Sequence, residues 1–139
     1  MSQNSCVYCT RVAENVIWSD ERCRVLHIAD SPFAGLCRVV WDSHVAELSD
    51  LDEEARNHVM AVVVGVEKGL REMLMPAKVN LASLGTMVPH LHWHVVPRYR
   101  DDSHYPEPIW AAAQRDGVAR PLPDDFAGRM KRSLDAAMT

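Results

Sequence analysis

Three histidines alternate with apolar residues in the segment PHLHWHVVPR, residues 89–98. In a β-strand the side chains alternate between two faces, so His90, His92 and His94 would share one face. The opposite face would carry only apolar side chains, which we expect to pack beneath a helix and to fix the register of the strand. The imidazoles would then point outward, and the histidine face would be either a wet surface or a functional site.

This histidine row admits three interpretations. It can be a solvated polar face, it can bind a metal ion through neutral imidazoles, or one imidazole can act as a nucleophile while its neighbours position the substrate and move protons. Alternate residues of a strand lie about 6.5–7 Å apart, so three in a row cannot easily reach one ion, whereas a pair can. Imidazoles with a pKa of about 6.5 suit nucleophilic and acid–base chemistry at neutral pH.

The four cysteines divide into two kinds. Cys6 and Cys9, in the segment CVYC, have the spacing with which two thiolates bind one metal ion. Cys23 and Cys37 lie in apolar, strand-like segments and are predicted to be buried thiols in the core. Structural disulfides are not expected in a cytoplasmic chain.

Composition restricts the class of protein. A chain of 139 residues is most simply one domain, and its net charge of −4 with a pI near 5.9 argues against a general nucleic-acid binder. The N-terminus lacks the apolar region of a secretion signal, and the longest apolar run, VMAVVVGVE, is too short to span a membrane. We therefore expect a cytoplasmic protein without a membrane or nucleic-acid partner.

The rest of the chain must supply the elements that position these groups. Residues 16–29 are typical of a hairpin, residues 36–41 of a further strand, and residues 77–84 of the strand that precedes the histidine segment. A long helix is predicted between an N-cap at Ser49 and a stop at Pro76, because apolar residues recur there at three- or four-residue steps. This stripe consists of Leu51, Ala55, Val59, Val62, Val66, Leu70 and Leu74.

The C-terminal part of the sequence has a less regular pattern of apolar and polar residues. Residues 100–125 are rich in proline and charge, which predicts a loop with one helical turn near Trp110, and residues 126–138 predict a closing helix. The links between strands are too short for parallel crossovers. The fold class is therefore α+β, with a largely antiparallel sheet of about five strands, one long helix and a C-terminal helix.

The segment HLHWHVV resembles the signature of the histidine triad (HIT) superfamily, His-φ-His-φ-His-φ-φ with φ apolar, without a mismatch. The CVYC pair, the segment WDSHVAELSDLDEEA and Asn80 before the triad also occur in the family's order. This combination resembles the zinc-containing branch of the family. The resemblance covers about residues 6–104, so we interpret residues 1–139 as a single HIT domain with a tail at 105–139.

The resemblance implies an activity. Family members act on a phosphorus atom attached to a nucleoside, which implies a nucleotide hydrolase or nucleotidyl transferase that uses a phosphoramidate or a dinucleoside polyphosphate and releases a nucleoside monophosphate. His92 would be the nucleophile that forms a covalent nucleotidyl-histidine. His94 would contact the phosphoryl oxygens and handle the proton on the leaving side, and His90 would support the nucleophile. No catalytic metal is required, and a homodimer is expected.

The same resemblance implies a zinc ion. In the zinc-containing branch the first triad histidine, the cysteine pair and the histidine before the long helix are ligands, which here are Cys6, Cys9, His44 and His90. Four ligands without an open position describe a structural ion, one per chain.

Substrate contacts are expected from five residues: Asn80, Thr86, Asp30, Phe33 and Leu36. Asn80 and Thr86 would contact the phosphate, Asp30 a ribose hydroxyl, and the two apolar residues the base. Many members carry a Gly-Gln-Ser or similar polar stretch before the triad, where this chain has Gly85, Thr86 and Met87. Met87 has no hydroxyl to donate. The alternatives are therefore a nucleotide-binding module with little or no turnover, and a metalloenzyme that uses all three triad histidines.

Overall fold

One antiparallel sheet of five strands organises residues 3–139, the part of the chain described by the computed structural model. The strands are β1 (Val16–Ser19), β2 (Cys23–His27), β3 (Cys37–Trp41), β4 (Lys78–Ala82) and β5 (His92–Arg98). Their spatial order is β1-β2-β3-β5-β4, and every neighbouring pair is antiparallel. The predicted α+β class is confirmed.

The helices are α1 (Val7–Thr10), α2 (Glu53–Leu74) and α3 (Phe126–Ala137), with 3-10 turns at Gln3–Ser5 and Leu48–Asp50. Helices α2 and α3 pack on one face of the sheet, and the short α1 lies on the other face, against the histidines. The predicted apolar stripe of α2 is buried against the inward side chains of the sheet, in one core with residues of α3. Gly65 and Gly69 of α2 let α3 approach closely, because a Cβ at either position would lie within 3 Å of side-chain atoms of Leu134 or Met130.

The long helix begins later than predicted. Ser49 lies inside the Leu48–Asp50 turn, which forms its own capping box between Glu47 and Asp50. The N-cap of α2 is Asp52, whose carboxylate accepts the backbone N–H of Ala55 at 2.9 Å. The prediction of Ser49 as cap was wrong because the buried Leu51 separates the short turn from the helix.

The triad segment is only partly a strand. β5 begins at His92, while the backbone of Leu91 bonds to Val45 and Trp41. Leu91 and Val95 are buried in the core with α2, as the alternating pattern predicts. The opposite face is not wet, however: His90, His92 and His94 are 0%, 6% and 7% exposed. Of the two predicted alternatives for this face, a wet surface and a functional site, the burial excludes the wet surface, because two further segments of the chain cover the imidazoles.

These covering segments come from the two ends of the chain. Tyr8 of α1 packs against the ring of His92 at 4.7 Å between centroids. Trp110 packs edge-on against His94 at 4.9 Å. The segment around Trp110 is a hydrogen-bonded turn, with the N–H of Ala111 donating to the carbonyl of Pro108, and not the predicted helical turn.

Asp102 anchors the start of this covering segment. Its carboxylate accepts two bonds from the buried guanidinium of Arg98 and further bonds from the backbone N–H groups of Tyr99, His104 and Tyr105. Burial alone would raise the pKa of Asp102, but these hydrogen bonds outweigh burial and hold that pKa at about 2.

We expect Asp102→Asn to lower the free energy of unfolding by about 2 kcal/mol at neutral pH, since the native pKa lies below the unfolded value. This stabilisation is complete above the unfolded pKa of about 3.9 and is lost as the pH falls toward 2. Urea unfolding of wild type and variant between pH 2 and 7 should therefore converge at the acid end. Asp101→Asn, which removes an exposed partner of Arg120, is the matched control and should change stability by less than about 1 kcal/mol. A difference between Asp102→Asn and wild type that is independent of pH would contradict the assignment.

A single domain over residues 1–139 stays a prediction, which the packing of α3 makes testable. Met130 is fully buried between α3 and α2. Met130→Ala should cost about 2–5 kcal/mol in one cooperative transition, whereas Arg129→Ala, at an exposed position of the same helix, should cost less than about 0.5 kcal/mol. Two separate transitions in calorimetry would show instead that the tail folds apart from the sheet.

Candidate functional site

Four side chains from distant parts of the chain meet beside the triad. Cys6 is the N-cap of the short helix α1 and Cys9 lies within it, His44 follows β3, and His90 precedes β5. Nδ1 of His90 lies 3.4 Å from Sγ of Cys6, 3.5 Å from Sγ of Cys9 and 3.2 Å from Nδ1 of His44. Sγ of Cys9 lies 3.2 Å from Nδ1 of His44. These four donor atoms all lie within 4.8 Å of one another.

This spacing fits a tetrahedral zinc ion. With Zn–S bonds of about 2.3 Å and Zn–N bonds of about 2.05 Å, tetrahedral angles place sulfur and nitrogen about 3.5 Å apart and two nitrogens about 3.3 Å apart. The separations in this cluster agree with those values to within a few tenths of an ångström. A Cys2His2 set leaves no coordination position open, so the chemistry of the donors is that of a structural zinc site.

The ring of His90 is oriented for metal binding. Its Nε2–H donates to the backbone carbonyl of Trp41 at 2.6 Å, which leaves the Nδ1 lone pair directed at the cluster. Metal-binding histidines are commonly held through the second ring nitrogen in this way. Burial lowers the pKa of His90, which favours the neutral ring that a metal requires.

A buried arginine fixes the N-terminal ligands. The guanidinium of Arg24, 1% exposed, donates two bonds to Glu14, one to Asp42 and one to the backbone carbonyl of Tyr8. Tyr8 lies between the two cysteines in sequence, so this contact ties the CVYC segment to β2. Arg24 was not singled out from the sequence, because an arginine in a strand gives no sign of which carboxylates will reach it.

A second group of potential metal ligands consists of Asp20, Cys23 and His58. Here the side chain of Asp20 is already engaged in hydrogen bonds within the protein. Asp20 accepts the backbone N–H groups of Arg22 and Cys23 and pairs with Nε2 of His58 at 2.7 Å. Burial raises the pKa of the Cys23 thiol, so it is the core thiol that the sequence predicts. This group closes the β1–β2 turn and ties it to α2.

His92 is held by the residue two positions before it. Its Nδ1 lies 2.6 Å from the backbone carbonyl of His90, so Nδ1 carries the proton and Nε2 carries the lone pair. The hydroxyl of Ser83 donates to the backbone carbonyl of His92 at 2.8 Å, which links β5 to the segment after β4. A neutral imidazole with a fixed tautomer is the arrangement that a nitrogen nucleophile needs.

Both remaining triad imidazoles are kept neutral. Burial lowers the pKa of His92, and the nearby charge of Arg38 lowers it further, although the bond to His90 partly opposes this. Burial, then His92 and Arg38, lowers the pKa of His94 to about 4. The rings of His92 and His94 lie 5.0 Å apart, edge to face. At neutral pH the pair is therefore uncharged and able to accept protons.

A cavity of about 410 Å³ opens over these two imidazoles. Its wall includes Tyr8, Arg38, Trp110 and the loop 84–88. Thr86 lies on this wall, as expected of a phosphate contact, and the neighbouring Met87 is 89% exposed. The volume is within the range of small-molecule sites.

Asn80 lies one strand further, on the wall of an adjoining cavity that also includes Trp110. Its Oδ1 accepts a bond of 2.8 Å from Arg98. Because a guanidinium only donates, this contact fixes the orientation of the amide and leaves Nδ2 as the donor for a ligand. Arg98 itself is buried between Asn80 and Asp102.

The other expected substrate contacts are dispersed. Asp30 is exposed and lines a third cavity of about 350 Å³, beside Tyr8 and Arg38. Phe33 and Leu36 are buried in a small apolar cluster with Val96, so their side chains support the sheet next to the cavities. The structure thus brings together the triad, Thr86 and, from outside the expected set, two residues that only the tertiary contacts reveal: Tyr8 and Arg38.

A model of the HIT domain family matches residues 10–101 of the chain. An uncharacterized 16.1 kDa HIT-like protein of Mycoplasma pneumoniae is 29% identical over 108 residues, which cover 71% of this chain and 75% of that protein.

Solved structures of histidine triad proteins share the fold of this chain. A histidine triad protein from Bradyrhizobium japonicum superposes with a TM-score of 0.71 at 27% identity, covering 90% of this chain and 95% of that one. A Zn-bound histidine triad family protein from Mycobacterium smegmatis superposes with a TM-score of 0.67 at 23% identity, covering 97% and 96%. At that identity the second likeness shows the fold alone.

The donor geometry predicts that the purified chain binds zinc and that Cys6→Ser loses it, because three ligands hold the ion far less tightly than four. His92→Asn should retain the zinc, since His92 lies outside the cluster. Zinc content after dialysis against a chelator, measured by atomic emission, distinguishes the two variants. Zinc that depends on His92 and not on Cys6 would instead support an ion bound by the triad.

Proposed function

Because the chain belongs to the HIT family, we propose that it is a nucleotide hydrolase or nucleotidyl transferase that acts at the α-phosphorus of a nucleoside phosphoramidate or dinucleoside polyphosphate. The observation that carries this proposal is the state of His92: its Nδ1–H is bound to the carbonyl of His90, and its ring lines the cavity. The lone pair on Nε2 is then available to a substrate held there.

In the proposed first step, Nε2 of His92 attacks phosphorus and a P–N bond forms. The bond from phosphorus to the leaving group breaks, and its electron pair stays with the leaving amine or phosphate. An amine leaving group takes up a proton, which His94 can relay, whereas a phosphate leaves as an anion. The positive charge on the nucleotidylated ring of His92 is stabilised through its Nδ1–H bond to the carbonyl of His90.

In the proposed second step, water attacks the same phosphorus. The P–N bond breaks, its electron pair returns to Nε2, and the water loses a proton, for which the neutral His94 is the nearest base. The products are a nucleoside monophosphate and the regenerated imidazole. His90 takes no part in either step beyond holding His92.

Zinc has a structural role in this proposal, with one ion per chain. Cys6, Cys9, His44 and His90 would hold it, and no catalytic metal is needed because the imidazole supplies the nucleophile. When bound, the ion fixes the ring of His90 and joins the CVYC segment to the catalytic strand.

A nucleotide-binding module with little turnover is the second candidate function. The observation that favours it is the loop 84–88, where Met87 lies on the cavity wall and its side chain offers no hydrogen-bond donor. Nucleotide binding without a covalent adduct would support this candidate.

We further propose that the protein is a cytoplasmic homodimer with a small-molecule nucleotide, and not a nucleic acid, as its partner. β4 lies at an edge of the sheet and Leu81 on it is partly exposed, which suits strand pairing between two chains. Within residues 3–139, no helix combines the length and the apolar character that crossing a bilayer requires.

We expect His92→Ala to abolish turnover of adenosine phosphoramidate and of diadenosine polyphosphates, and to abolish the covalent adduct. Rapid acid quench of the wild type followed by mass spectrometry should detect one nucleotidyl group per chain on His92. His58→Gln, which changes a histidine of α2 far from the cavity, is the matched control and should keep both activity and adduct.

Equal activity of His92→Ala and the wild type would refute the proposed mechanism. Tight binding of adenosine monophosphate without any adduct in the wild type would favour the binding module instead.

A further inference from the structure

Arg38 is a charged side chain directed into a site whose other walls are uncharged. It lies on β3 directly opposite His94 of β5 in the antiparallel register. Side chains of paired residues project from the same face of a sheet. The guanidinium accordingly lines the 410 Å³ cavity together with His92 and His94, and it is the one arginine, lysine or carboxylate among the described residues that do so.

The guanidinium of Arg38 lacks a carboxylate partner. Its Nη1 makes a long bond of 3.3 Å to the hydroxyl of Tyr8. Its Nε is buried without a hydrogen-bond partner, and Arg38 forms no ion pair within residues 3–139. The two fully buried arginines differ from Arg38, because Arg24 and Arg98 each bind carboxylates.

An unpaired buried donor is costly, so its retention calls for a ligand. A guanidinium presents a planar fork of N–H groups that matches two oxygens of a phosphate or carboxylate. The ligand that fits is therefore an anion with two adjacent oxygens, placed against the face of β3 and β5 where His92 and His94 also lie.

We propose that Arg38 binds the non-bridging oxygens of the phosphoryl group that is transferred to His92. This inference rests on the proposed function. It assigns to a side chain of β3 an anion contact beside the one expected from Thr86 of the loop 84–88.

The location favours the transferred phosphate over the leaving group. Arg38 is paired in register with His94, and its charge acts on both triad imidazoles. The phosphorus under attack must lie within reach of Nε2 of His92, so its non-bridging oxygens are the substrate atoms nearest to both. As the P–N bond forms, negative charge grows on these oxygens, and a fixed cation beside them stabilises the transition state.

Substrates with different leaving groups share the transferred phosphate, and this provides the test. We expect Arg38→Gln to lower kcat/KM by roughly 10²-fold or more for both adenosine phosphoramidate and diadenosine triphosphate, to a similar degree. Arg38→Lys, which keeps the charge but not the planar fork, should lose less. A loss confined to the triphosphate would overturn the proposal, because it would place Arg38 on the leaving group.

Two control variants distinguish direct phosphate binding by Arg38 from an indirect role in which Arg38 only positions a neighbouring side chain. Arg100→Gln removes the same charge from an exposed arginine outside the cavity and should leave kcat/KM unchanged. Tyr8→Phe removes the hydroxyl that Arg38 contacts but leaves the guanidinium in place. If Tyr8→Phe reduced kcat/KM as much as Arg38→Gln, then Arg38 would act by positioning Tyr8, and the proposal would be overturned.

An equilibrium measurement keeps this inference apart from the proposed function. In calorimetric titrations, Arg38→Gln should weaken the binding of adenosine monophosphate at least tenfold and leave the binding of adenosine unchanged. If Arg38→Gln showed this loss of binding but the wild type had no turnover, the proposed hydrolase activity would be refuted and the proposed anion site would stand. Equal affinities of wild type and Arg38→Gln for adenosine monophosphate would overturn the anion site whether or not the protein is an enzyme.

Discussion

The organisation of the site depends on how His90 is held. One ring nitrogen donates to the carbonyl of Trp41, the other faces the cysteines and His44, and the backbone carbonyl accepts the proton of His92. A single residue thus connects the sheet, the N-terminal segment and the imidazole of His92. Any displacement of its ring or its carbonyl changes the geometry of both the candidate zinc ligands and His92, so an ion bound by this cluster would act on His92 without contacting it.

The sequence predicted what local periodicity and residue chemistry determine. Alternation identified the apolar underside of β5 and the histidine row, and spacing paired Cys6 with Cys9. The predicted N-cap at Ser49 failed because a short turn with its own capping box precedes α2. The burial of the triad depends on Tyr8 and Trp110, and no local pattern in the sequence shows that these two distant residues will both cover it.

The arginines likewise differ in ways that only the folded structure reveals. Arg24, Arg38 and Arg98 are alike in the sequence, each lying in a strand-like segment, but their surroundings differ completely. Two of them are neutralised by carboxylates that are close only in the folded chain, and the third faces a cavity. Which arginine remains available to a ligand follows from the strand register and from which acidic residues reach it, and neither can be read from residue type alone.

The ligand cluster joins residues that are far apart in the chain, since Cys6 and His90 are separated by 84 positions. In an unfolded chain, closing a loop of that length around one ion has a large entropic cost, so the ion binds the folded state far more tightly than the unfolded state. Folding and metal binding are then thermodynamically linked: under saturating conditions each tenfold rise in free zinc adds about 1.4 kcal/mol to the free energy of unfolding. The melting temperature of such a protein reports the zinc activity of its surroundings as well as its own contacts.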